Sequence, residues 1–191
     1  MKTSTAFAAL LTAAALTASA AQAGAIVVGG NGLAHSCYVQ AAFDDNASSD
    51  ETVCTAALTM EAMSPRDRAS TFVNRGVILG RRGQESNALS DYDHAIAADA
   101  TLAQAYVDRS GALIALKRYG EAVDSADKGL SLGLAQPEVA YYNRAVAEEG
   151  LGKFTAAYYD YKQAVAIAPG FTDASEQLKR FRVVSKPAGG V

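Results

Sequence analysis

One stretch of this chain is copied twice further along it. Asn74-Arg75-Gly76 is matched by Asp108-Arg109-Ser110 and again by Asn143-Arg144-Ala145. Ala88 is matched by Ala122 and Ala157, and Ala95 by Gly129 and Ala164. At all three landmarks the first step is 34 residues and the second is 35. A shared register near that period marks a stack of helical hairpins, each too small to bury its apolar face alone. The predicted class is therefore all-α.

Each unit carries the pattern of two helices. Phe72, Gly76 and Leu79 lie at i, i+4 and i+7, on one face of a first helix. Gly83 interrupts the pattern, and Ala88, Tyr92 and Ala95 mark one face of a second helix. Small residues fall where the antiparallel helices must approach closely. The large ones (Phe72, Tyr106, Tyr141, Tyr92 and Tyr161) are expected to fill the space between hairpins.

With this spacing of small and large residues, the chain resembles a tetratricopeptide repeat (TPR) protein over residues 69–169, and within that family the subgroup with Asn-Arg-Gly in the first helix. Glu148 departs from the pattern, standing where the other units have Leu79 and Leu113, and only Pro169 supplies the proline that often closes a unit. The resemblance implies a right-handed superhelical stack whose first helices line a concave groove. Carried over residue by residue, the groove would be lined by Val73, Asn74, Val77, Gln104, Val107, Asp108, Ile114, Val139, Tyr142, Asn143 and Val146, with Ser70 beside them. This apolar floor with amides and one acid fits a protein or peptide segment with apolar anchors. It lacks the Lys and Arg set by which some family members clamp a C-terminal carboxylate, so that ligand is not implied. The rival expectation is a groove filled by neighbouring elements, the C-terminal helix among them.

Around the repeats, the chain divides into further segments. Residues 1–23 read as a secretion signal: Lys2, an apolar centre, then Ala21-Gln22-Ala23 as a small-x-small cleavage site. An uncleaved anchor is the alternative. No Cys follows the cleavage point, which argues against a lipid-anchored form, and the Ala-rich style suggests a soluble protein of a bacterial periplasm. Residues 24–34, with a Gly-rich run lacking the G-x-G-x-x-G spacing, are expected to be a flexible leading segment. Residues 35–63 read as a capping hairpin, with helices over 36–43 and 50–63 joined by a polar turn that includes the glycosylation-type triplet at Asn46. The three repeats take residues 64–101, 102–136 and 137–170, the first opened by Ser64-Pro65-Arg66-Asp67. Residues 171–184 are expected to form a capping helix and 185–191 a disordered tail.

Cys37 and Cys54 are the only cysteines. In an exported chain an even count favours a disulfide, here stapling the capping hairpin. A redox or metal pair is the alternative, and free thiols would be its mark.

Arg75, Arg109 and Arg144 recur once per repeat. Asp91 and Asp160 each follow 16 residues after their arginine, a spacing that favours an ion pair across the hairpin. Ser125 breaks the match in the middle unit, although Asp124 is adjacent. The other reading is a ladder of cations gripping an acidic partner. Arg81 is expected at the surface.

His35 and His94 have no evident partners in the sequence, and no catalytic constellation, metal set or cofactor motif is present. A net charge of −3 offers no electrostatic footprint for nucleic acid. These readings converge on an exported, non-enzymatic module that binds another protein or peptide. A self-associating structural component of an envelope complex is the alternative, and a thiol-based redox protein a third.

Overall fold

The computed structural model describes residues 7–9, 24–43 and 50–185. The first repeat is α3 (Pro65–Arg81) followed by α4 (Glu85–Ala98). Helix α3 starts where Ser64 Oγ accepts the Asp67 N–H at 3.1 Å, and Pro65 sits where no donor is needed. The second repeat is α5 (Ala103–Ala115) and α6 (Tyr119–Ser131); the third is α7 (Glu138–Gly150) and α8 (Phe154–Ile167). The chain reverses at Gly83, Lys117 and Gly152, with φ of +71°, +59° and +74°. The same left-handed corner thus recurs in each hairpin, and the middle repeat makes it without glycine.

Each first helix packs against its hairpin partner, and α4 and α6 pack against the first helix of the next unit. Helices α3, α5 and α7 also touch in sequence, forming one continuous inner row. A single apolar cluster runs through the stack from Ala69 and Val73 to Ala174 and Phe181. Close approach within the first hairpin depends on Gly76, where a Cβ would come within 2.5 Å of the Tyr92 ring. Tyr92 and Tyr161 are buried, whereas Phe72, Tyr106 and Tyr141 are half-buried.

Two caps close the stack. At the N-terminal end, α1 (Leu33–Phe43) and α2 (Thr52–Met60) are joined by the Cys37–Cys54 disulfide and pack on α3. In the chain-entropy picture a bridge across 17 residues contributes about 3 kcal/mol. At the other end α9 (Thr172–Lys179) lies on α8. Among the described residues, no helix is long and apolar enough to cross a membrane.

Several boundaries differ from the sequence reading, each through a long-range contact. Helix α1 begins at Leu33 because the Glu61 carboxylate accepts the N–H groups of Leu33 (2.6 Å) and Ala34 (3.0 Å). The same turn of the chain at Glu61 ends α2 at Met60 rather than at residue 63. The segment expected to be flexible is held: Ile26 is hydrogen-bonded to Asn74 and Val28 is buried. The closing helix stops at Lys179 instead of 184. Arg180 turns inward to Glu149, Phe181 packs on Tyr158 and Tyr161, and the β-branched pair Val183-Val184 continues as β2 (Val183–Ser185). Strand β1 (Phe7–Ala9), within the stretch read as a secretion signal, pairs antiparallel with β2. The rest of that stretch, the polar turn at 44–49 and the tail beyond Ser185 lie outside the described residues. Arg81 is not a surface residue: its guanidinium donates to the Ala41 carbonyl at 2.7 Å, tying α3 to the cap.

Two substitutions test these constraints. Lys117→Gly relieves a left-handed backbone and is expected to raise the unfolding free energy by roughly 0.5–1 kcal/mol, read from urea titration. Glu148, at the position of Leu79 and Leu113, has a buried Oε2 without a hydrogen-bond partner among the described residues. Burial, with Asp160 adding to it, raises its pKa. A carboxyl raised on folding destabilises the fold above its folded pKa and is neutral below its unfolded one. Glu148→Leu should therefore raise the melting temperature at pH 7, and the gain should shrink as the pH falls towards the ordinary glutamate range.

Candidate functional site

The inner row of α3, α5 and α7 is where the expected groove residues lie, but most of them are not open to solvent. Val73, Asn74, Val77, Val107, Asp108, Ile114, Tyr142, Asn143 and Val146 are buried; Gln104 and Val139 are half-buried. Exposure at these nine positions is thus corrected, and local contacts supply physical reasons. Val107 points at Gly129 on α6, filling the space a side chain there would take. The Asn143 amide donates to the Val107 carbonyl (3.3 Å) and to Ser110 Oγ (3.1 Å), joining α7 to α5. Tyr142 packs against Tyr161 and Phe171, with centroids 5.7 and 5.1 Å away. Burial, with Asp173 and Glu149 nearby, pushes its phenol up to about 12. Val73, Val77, Ile114 and Val146 belong to the main core.

Asn74 has a different occupation. Its Oδ1 accepts the Ile26 N–H at 2.7 Å, and its Nδ2 donates to the Ile26 carbonyl at 2.8 Å. One side-chain amide therefore reads both main-chain groups of a single residue. Beside this contact a cleft of about 540 Å³ opens between residues 24–27, Ser70 on α3, Gln104 on α5 and residues 133–136. Gln104 Nε2 donates to Asp108 Oδ2 at 3.2 Å along its rim.

The recurring arginines face the other way, into the seams between hairpins. Arg75 forms a fork with Asp91, with both bonds at 2.7 Å, and its third nitrogen reaches Thr55 Oγ1 on the cap at 3.0 Å. Arg144 repeats the fork with Asp160 (2.6 and 2.8 Å) and reaches back to Asp127 at 2.5 Å. Hydrogen bonding to those carboxylates raises the pKa of both guanidinium groups. In the middle repeat the partner is Asp93 of the preceding hairpin at 2.7 Å, with Ser125 Oγ at 3.4 Å, rather than Asp124. The aromatic residues three positions earlier lie under these cations: Arg75 stands 5.6 Å from the Phe72 ring and Arg144 5.3 Å from the Tyr141 ring.

Comparison with known proteins agrees with this geometry. Residues 139–171 match the family described as Tetratricopeptide repeat. The second TPR domain of human RPAP3, solved with an HSP70 peptide, is 26% identical, with a TM-score of 0.57 over 61% of this chain and 96% of that one. MamA superposes with a TM-score of 0.57 at 18% identity, over 70% of this chain and 85% of that one. The fold is a tetratricopeptide repeat array. Rat serine/threonine-protein phosphatase 5 is 35% identical over 100 residues, 52% of this chain. The chain spans about a fifth of the length of that protein and of its human counterpart.

Within the array, the sequence pointed to Asn74 and Gln104 but missed residues 24–28, whose Gly-rich surroundings read as a linker. It also missed His35, whose Nδ1 lies 2.8 Å from the Val28 carbonyl oxygen. His94 is exposed and stacks on Phe72 at 5.2 Å. The signal that could have found the held segment is the alternation in Ile26-Val27-Val28, which puts two apolar side chains on one side of an extended strand. Among the described residues no cluster of His, Cys, Asp and Glu could hold a metal ion.

The arginine brackets generate a stability prediction. Asp91 is 4% exposed, so removing its partner strands a buried charge. Arg75→Ala is expected to cost about 2–3 kcal/mol in chemical unfolding, against about 0.5 kcal/mol or less for the exposed Lys162→Ala. Equal losses would remove the bracket from the account of stability.

Proposed function

We propose that this chain is an exported, non-catalytic TPR protein of the Asn-Arg-Gly subgroup that binds an extended segment of another protein along its inner row of helices. The observation that carries this reading is the pairing of the Asn74 amide with both main-chain groups of Ile26. A side chain that engages an extended backbone in this way recognises peptide irrespective of its side chains, and neighbouring apolar surface then supplies selectivity. The cleft beside it, with Gln104 and Ser70 on its walls, offers room for such a segment to continue along the second repeat. The RPAP3 domain solved with an HSP70 peptide is a precedent for peptide capture on this fold.

Export to a periplasm-like compartment is supported by the signal pattern of residues 1–23 and by the Cys37–Cys54 bridge, a bond that persists in oxidising surroundings. The half-buried positions Gln104 and Val139 replace the fully buried ones as the best reporters of a partner.

A photo-crosslinking residue placed at Gln104 in cells is expected to trap one heterologous protein, with much weaker trapping from exposed Lys162. Crosslinks only to further copies of this chain, rising with its concentration, would favour the self-associating alternative and overturn the reading. The exposed Phe43 and Met60, 74% and 79% accessible on the capping hairpin, are where such association would start.

A further inference from the structure

Residues 24–28 pass over α3 at Asn74 and run on to the capping hairpin, where Val28 is buried with Ala34 and Ala57. The segment belongs to no helix or strand. Its anchorage is the Asn74 amide on Ile26, a contact between residues 48 apart in sequence. On either side of that point the chain sorts its side chains. Ile26 packs against the main core and Ala25 against the cluster around the Cys37–Cys54 bridge. Val28 is 3% exposed among Ala34 and Ala57, whereas Val27 is 67% exposed. The segment begins with Gly24 and is followed by Gly29-Gly30. Residues 24–27 form one wall of the cleft they share with Ser70 and Gln104, so Ile26 and the Asn74 contact border open space.

The holding forces are modest for a segment that fills a recognition site. They amount to the Asn74 amide pair on Ile26, the His35 contact with the Val28 carbonyl and the apolar side chains of Ala25, Ile26 and Val28, within the range that a second peptide of equal length supplies when it takes the same place. We infer that residues 24–28 are a displaceable internal ligand, which a partner's extended segment of the same pattern, a small residue followed by β-branched apolar ones, exchanges with at Asn74. This rests on the inner row being a peptide-binding surface, and it adds the sequence character of the partner and the contact that restrains binding. An internal ligand that fills the site in more than nine molecules in ten lowers apparent affinity at least about tenfold.

The probe is a fluorescent peptide of sequence GAIVVGG, titrated against the oxidised full chain and against an Ile26→Pro/Val28→Asp double variant. Proline removes the N–H that Asn74 accepts, and the aspartate cannot be buried unpaired. The expected result is at least about tenfold tighter binding to the double variant, and loss of that gain when Asn74→Ala is added. Equal affinity for both chains would overturn the inference. A second measurement needs no variant: saturating unlabelled peptide should speed hydrogen exchange of the Ile26 amide in the unaltered chain while leaving the Ala145 amide unchanged. Unaltered Ile26 exchange at saturation would also overturn it. Heterologous crosslinking from Gln104 combined with equal peptide affinities would remove this inference alone and leave the binding reading intact.

Discussion

No hairpin of this chain can bury its own apolar surface. Two short antiparallel helices meet along one face only, and each helix carries a second apolar face that must find another partner. Stacking solves this by giving α4 to α5 and α6 to α7, so that the core becomes a ribbon rather than a ball. The solution works only while the helices stay close. Tyr92 lying over Gly76 shows how little space is allowed. It also leaves two raw ends, and the remaining parts of the domain exist to cover them. The disulfide-linked pair α1 and α2 covers one; α9, Phe171 and Phe181 cover the other.

Polar groups hold the stack in register. Each recurring arginine grips a group on its own hairpin and another on the preceding element: Asp91 and Thr55, Ser125 and Asp93, Asp160 and Asp127. Such a two-sided fork tolerates little sliding, because moving either hairpin breaks one side of it. At the C-terminal end the same logic is applied once more by Glu149. It is almost wholly buried, accepts the Tyr161 hydroxyl at 3.1 Å and pairs with Arg180 at 2.6 Å, which fixes the chain after α9 to the last repeat. Burial and the Glu149 carboxylate push the Tyr161 phenol upward, so the hydroxyl keeps its proton and remains the donor.

The inner face follows from these arrangements. Side chains expected on an open floor are drawn into seams: Val107 beneath α6, Asn143 between α5 and α7, Tyr142 under Phe171. What stays open is a cleft at the start of α5, beside a buried asparagine already engaged with backbone. In the proposed reading, that cleft recognises a partner through main-chain pairing and a few apolar contacts, and residues 24–28 compete for it.

The repeat, its helical hairpins, the disulfide between the only two cysteines and the 16-residue arginine–aspartate spacing of the outer repeats were all legible in the sequence, because each depends on residues close together or on a period that copies itself. The contacts that only folding could create were not. Glu61 caps α1 from 28 residues away, Asn74 holds Ile26 from 48 away, and Arg180 stops the last helix by reaching Glu149. Periodicity records which face of a helix is apolar, but not what finally covers it. Whether an inner side chain meets solvent or a neighbour is decided by how closely successive hairpins nest, and that distance exists only in the assembled stack.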